Sequence, residues 1–224
     1  MATAVDDIIS RVRKILTDEG AIRWTDAELI LWLNDAQTEI VLYKPDAGAV
    51  NTTVTLATGT KQTLPSGGNR LLGVVRNMSA ASSGTGGRVI RAVSREILDS
   101  QEPNWHDPTV TGAAAHGTTQ KHYCYDEQDP TVYYVFPGVA GASYIEIIYS
   151  AVPTDVSSGE DIGVADIYGN AIIDYILYRA FQKEAEYSAT NARADKQYGL
   201  FLSAVTGKSQ LDALTSPNSG RGIR

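Results

Sequence analysis

The chain has 224 residues, a net charge of −7 and a pI near 4.9, an acidic balance that disfavours broad binding to nucleic-acid phosphates. With 43% hydrophobic and 20% charged residues its composition is that of a globular protein, neither disordered nor fibrous. No apolar run approaches the ~20 residues that span a bilayer, MATAVDDIIS lacks the basic start and apolar stretch of a signal peptide, and a single cysteine, Cys124, excludes an internal disulfide framework. A soluble chain made in the cytosol, with no membrane partner, is the expectation.

The first zone, residues 1–47, is helical. In AVDDIISRVRKILTDEG, Val5, Ile8, Ile9, Val12, Ile15 and Leu16 follow one helix face. Asp6 and Asp7 suit the positive end of the helix dipole, and Gly20 is the expected stop. In WTDAELILWLNDAQTEIVLY, Thr25 and Glu28 form a T-x-x-E capping box ahead of Leu29, Trp32, Leu33, Ala36 and Ile40. The two stretches read as a helical hairpin.

The second zone, 48–155, changes period. Stretches 50–56, 70–77, 88–93, 121–125, 132–136 and 144–150 are rich in β-branched and aromatic residues and read as strands. DEQDP and PGVAGAS turn between the last three, predicting an antiparallel meander. SAASSGTGG is a loop tip, SREILDSQ one short helix, and EPNWHDPTVTGAAAHGTT an irregular excursion pinned by Trp105.

The third zone, 156–206, returns to helix. A start at Asp166 leads into a stripe of Ile172, Ile173, Ile176, Leu177, Ala180 and Phe181, and a second helix after Asn191 places Tyr198, Phe201, Leu202 and Val205 on one face, with Gly207 its stop. Burying four stripes together predicts an α+β chain in which N- and C-terminal hairpins form a four-helix bundle around an inserted antiparallel β domain. The expected core includes Ile9, Val12, Leu29, Trp32, Leu33, Ile173, Ile176, Leu177, Phe181, Phe201 and Leu202. Residues 207–224 are left as an extended, locally basic arm: Lys208, Arg221 and Arg224 stand against Asp212 alone, with Leu211, Leu214 and Ile223 its apolar residues.

No catalytic constellation emerges. There is no G-x-S-x-G elbow, and His122 and Cys124 share a strand face without a third partner. His106, His116, His122 and Cys124 match no compact zinc spacing. GTGGR and SGGNR lack the ending of a phosphate loop, and the pairs Asp126–Glu127 and Glu160–Asp161 lie in turn-like polar segments. No enzyme, metal or cofactor is expected. The aromatic β zone and Trp105 leave a glycan- or receptor-binding module as an alternative.

DYILYRAFQKEAEYS raises a different question. Its stripe is complete without Tyr175 and Tyr178, yet both extend the uncharged surface around the helix, with Arg179, Lys183 and Tyr187 beside them. Tyrosine and arginine are enriched at protein interfaces, although the same tyrosines would serve equally well to cover the β domain of the same chain. This stretch, followed by NARADKQYGLF, resembles the C-terminal helical pair of phage head–tail adaptor (connector) proteins. WTDAELILWLNDAQTEIV resembles their second helix, with its W-T-D-x-E-L-x-x-W-x-N-x-A-Q run. KHYCYDEQDPTVYYVFPGV and IEIIYSAVPTDV resemble the meander of podovirus-type adaptors, while residues 57–118 carry no such likeness.

The resemblance implies a virion protein made in the host cytoplasm. It implies a homo-oligomeric ring, usually dodecameric, docked on the portal protein and carrying a tail nozzle or other tail protein, with double-stranded DNA passing through without specific binding. It implies neighbour contacts from Tyr175, Tyr178, Arg179, Lys183 and Tyr187, and portal contacts from the arm. Acidic residues would line or rim the channel, so that phosphates are not gripped. Another virion component, such as a nozzle or head-closure protein, is the alternative within the same class.

Overall fold

In a computed structural model, residues 3–82, 84–184 and 188–215 are described. They divide into two compact units, one from the described part of residues 3–48 and 153–215 and the other from that of residues 49–152.

The helical unit contains α1 (Val5–Leu16), α2 (Asp26–Tyr43), α4 (Gly169–Lys183) and α5 (Ser188–Thr215). α1 buries Val5, Ile8, Ile9 and Val12 and keeps Asp6 and Asp7 in its first turn. Its stop is not Gly20. Thr17 takes the left-handed conformation (φ 54°), and Asp18 then gathers the next turn. The Asp18 carboxylate accepts from the backbone N–H groups of Ile22, Arg23 and Trp24. Arg13 closes the loop, donating to the Asp18 and Trp24 carbonyls and to the Asp26 carboxylate.

These amide bonds, that of Trp24 foremost, hold the Asp18 carboxyl below the usual carboxylate range against the opposing effect of its desolvation. A depressed folded-state value stabilises the fold above the unfolded value, near pH 4, and this contribution disappears as pH falls through the folded value. Acid melting curves of wild type and Asp18→Asn should therefore be fully separated above about pH 4 and draw together as pH falls from there through the folded value.

The helical unit is not a four-helix bundle. The described residues form five α-helices and two four-stranded sheets, and the helices of this unit are not arranged as four equivalents. α4 is central, packed against α1, α2 and α5, while α5 lies chiefly along α4. Residues between helices also enter the core: Ile162, Val164 and Tyr168 join it ahead of α4. Matching stripes reveal which faces are buried, not which helix covers them.

α5 also runs through Gly207, which has no positive φ, to Thr215, so the backbone at Lys208, Leu211 and Leu214 is helical rather than extended. Arg221, Ile223 and Arg224 lie outside the described residues. A glycine inside a helix costs only about 1 kcal/mol relative to alanine, too little to force a stop.

The β unit holds β1 (Ala49–Thr55), β2 (Gly59–Thr63), β3 (Gly68–Met78), β4 (Gly86–Val89), β5 (Arg91–Ala92), α3 (Arg95–Gln101), β6 (His122–Tyr125), β7 (Val132–Val139) and β8 (Tyr144–Ala151). One sheet has the order β1-β8-β3-β4, the other β2-β7-β6-β5. Leu71, Val74, Ile145 and Ile147 of the first share a core with Tyr133, Val135 and Val139 of the second.

The expected meander is therefore split. β6 pairs with β7, but β8 crosses to the other sheet and lies between β1 and β3. The unit is not purely antiparallel either, because β5 pairs with β6 in parallel. Trp105 is fully buried beside Leu98, Cys124 and Phe136, and its indole N–H donates to Asp99 at 2.9 Å, anchoring the excursion after α3.

Candidate functional site

The W-T-D-x-E-L-x-x-W-x-N-x-A-Q run, Trp24 to Gln37, shows what its residues do. Trp24 is buried and its carbonyl accepts from Arg13. The Thr25 hydroxyl caps α2, accepting from the Glu28 N–H. The return half of the expected capping box is replaced, because the Glu28 carboxylate binds Lys183 of α4. Asp26 receives Arg13, while Leu29, Trp32 and Ala36 fill the core.

Asn34 reads both backbone groups of Val156, donating to its carbonyl at 3.1 Å and accepting from its N–H at 3.0 Å. Gln37, 1% exposed, accepts from the Gly163 N–H and donates to Asn34. Two amides one helical turn apart thus clamp the segment that leads from the β unit back into α4. A buried amide without partners costs about 1–3 kcal/mol, which explains why the run specifies Asn and Gln rather than apolar residues here.

The expected core residues are placed as follows. Ile9, Val12, Leu29, Trp32, Leu33, Ile173, Ile176, Leu177 and Phe201 are buried, and Phe181 and Leu202 pack against them half-buried. Tyr175 is buried too, its ring 5.1 Å from Phe201 and 5.7 Å from Tyr178, which in turn lies 4.8 Å from Tyr198. An aromatic seam between α4 and α5 thus occupies the surplus tyrosines of α4 within the unit. Arg179 sits over the Tyr175 ring and donates to Asp35, and Lys183 pairs with Glu28. Tyr187 lies outside the described residues.

The outward face of α2 went unread in the sequence. Ala27, Leu31, Thr38 and Leu42 recur at helical spacing, all exposed and uncharged, with Asp35 in the turn between Leu31 and Thr38. Leu31 and Leu42 are 59% and 68% exposed, next to core residues Trp32 and Val41. The signal was present as two leucines out of phase with the buried stripe.

Cys124 and His106 are committed elsewhere. Burial raises the Cys124 thiol to about 11, far from a thiolate nucleophile at neutral pH. His106 bonds Thr60 through Nδ1 at 2.7 Å and stacks on Trp105. In the helical unit, a cleft lined by Asp6, Ser10, Arg13, Glu19 and Asp26 has most of its charges engaged: Arg13 with Asp18 and Asp26, and Asp6 with Ser158 and Gly159. Among the described residues, no three His, Cys, Asp or Glu gather as a metal site, and no helix is long and apolar enough to cross a membrane. Of the aromatics that gave a glycan-binding surface its footing, Trp105, Tyr133 and Phe136 are core residues, while Tyr123, Tyr125 and Tyr134 of the meander are half-buried.

The signature residues of the Trp24 to Gln37 run cap, clamp and pack the helical unit, a structural use rather than a chemical one. The chain belongs to the SU10 adaptor protein family, whose sequence model matches residues 3–221. Comparison with curated proteins gave no match. Family membership makes the chain a bacteriophage adaptor, a structural component of the virion that interacts with other head or tail proteins.

Proposed function

We infer that this chain is the head–tail adaptor of a tailed phage, assembled as a ring, dodecameric in number, that docks on the portal and carries the next tail protein while DNA passes through its centre. The observation that carries the reading is the pair of exposed leucines, Leu31 and Leu42, on the outer face of α2. A helix that fills its own core with Leu29, Trp32, Leu33, Ala36 and Ile40 has no internal use for exposed Leu31 and Leu42. Such a second face is what a head-to-tail neighbour covers when copies close into a ring. Arg179 and Lys183, already paired to α2 carboxylates, form a polar rim beside it, the usual surround of an apolar contact.

The net charge of −7 agrees with a conduit that does not hold phosphates. Residues 207–224, with three bases against one acid, are assigned to the portal. Mixing the chain with purified portal is expected to give a stoichiometric ring complex, visible by mass measurement; a chain that stays single and unattached contradicts the reading. Deleting residues 208–224 is expected to weaken that complex while leaving the melting temperature of the helical unit nearly unchanged. Undiminished portal binding by the truncated chain would remove the arm from the contact.

A further inference from the structure

Sheet edges are templates for adding strands, and natural proteins blunt them with charge, bulges or brevity. Among the described strands, both edges of the second sheet are blunted in these ways, and β4 of the first sheet is a short edge. β5 is two residues long and begins with Arg91, β2 carries Lys61 and a register shift against β7, and β4 is four residues long with Arg88 and a shift against β3. β1 is different. AVNTTVT is seven residues long, with no charge, proline or glycine, and it pairs with β8 in unbroken register from Ala49↔Ser150 to Thr55↔Tyr144. Its other side ends the sheet.

We propose that β1 is the joint between copies, adding to the β4 edge of the neighbouring copy so that this sheet continues from one subunit to the next. The proposal rests on the ring reading above and deepens it. Copies in a ring meet through two unlike surfaces, because contact between like surfaces generates a two-fold pair that stops at two. The first sheet offers two unlike edges at its opposite ends, β1 and β4. Their directions fit: β1 and β3 both run antiparallel to β8, and β4 runs antiparallel to β3, so β4 is antiparallel to β1. Continuation of the sheet therefore makes an antiparallel junction, the more stable kind.

One register row crosses all four strands, Thr53↔Glu146↔Arg76↔Val89. Val89 ends it 60% exposed, and on the next copy Thr53 begins the same row. β-branched residues facing one another across strands stabilise sheets. The short β4 limits the junction to about four residues, so it supplements the α2 contact rather than replacing it.

The test is cysteine cross-linking of the full chain. Facing residues in an antiparallel pair have Cα atoms about 4.5–5.5 Å apart, within disulfide reach, and the native Cys124 is buried. Rings assembled on the portal from the double variant Thr53→Cys/Val89→Cys are oxidised and run without reductant. A ladder of covalent multimers is expected, with neither single variant giving covalent dimers. Asn51→Cys or Thr55→Cys in place of Thr53→Cys covers a two-residue slip. These positions also serve if the reduced Thr53 variant melts early. Rings that form normally but link through none of the three pairs overturn the joint and leave the ring reading intact. Dimers from Thr53→Cys alone reveal a two-fold β1–β1 contact and overturn it too. Failure of the wild-type chain to form rings overturns the ring reading itself.

Discussion

Trp32→Ala lowers the melting temperature of the helical unit by on the order of 10 °C, the equivalent of ~3–5 kcal/mol for a large aromatic removed from a packed core. Trp32 is 9% exposed and belongs to the cluster that joins α1, α2, α4 and α5. Its removal leaves a void on the side of α2 facing α4, where the ion pairs Lys183–Glu28 and Arg179–Asp35 also bridge the two helices. Those exposed pairs contribute at most about 1 kcal/mol each and do not compensate. Thermal melting monitored by circular dichroism measures the effect, and a shift near zero would mean that the core is not organised around this tryptophan.

The second large effect concerns assembly rather than stability. Leu31→Asp/Leu42→Asp is expected to abolish the ring on the portal while the monomer melts almost as wild type. Both leucines are mostly exposed, and surface substitutions usually change stability by within ~0.5 kcal/mol. In an assembled ring, each aspartate would place an unpaired carboxylate in an apolar contact, at a cost of several kcal/mol per copy. Mass measurement of portal mixtures, beside melting curves of the free variants, separates the two effects. Rings of normal stability from the double variant would move the neighbour contact away from α2.

The contrast between these two substitutions also shows what the sequence made legible. Trp32 and Leu31 are adjacent and both apolar, yet one is buried and the other exposed. Periodicity identifies the buried stripe because 3.6-residue spacing is a property of one helix, and α1, α2 and α4 were legible on that basis. It does not identify what covers a stripe. Four stripes suggested four equivalent helices, whereas α4 gathers the others around itself. Likewise, Tyr175 and Tyr178 read as surplus surface because α5, which covers them in the aromatic seam, is distant in local spacing.

Local signals failed where a side chain supplied what the backbone pattern normally does. Gly20 was the obvious stop for α1, but Asp18 and Arg13 complete the turn earlier with Thr17 in the left-handed conformation. β2, GTKQT, is polar and escaped notice. Its inward residues are Thr60 and Gln62, and Gln62 is satisfied by the Ala57 backbone. The meander was misassigned because adjacent strands usually pair, while the turn after β7 carries the chain into the opposite sheet. The adaptor run was legible as a resemblance, but its logic required the structure: Asn34 and Gln37 clamp backbone more than a hundred positions away.

Imaging the intact phage particle with the chain labelled tests the central claim most directly. The account predicts label confined to the junction of head and tail, in a closed ring of chain copies in direct contact with the portal above and a tail protein below. Label at the tail tip or on the capsid surface, or isolated copies that do not touch one another, would contradict it.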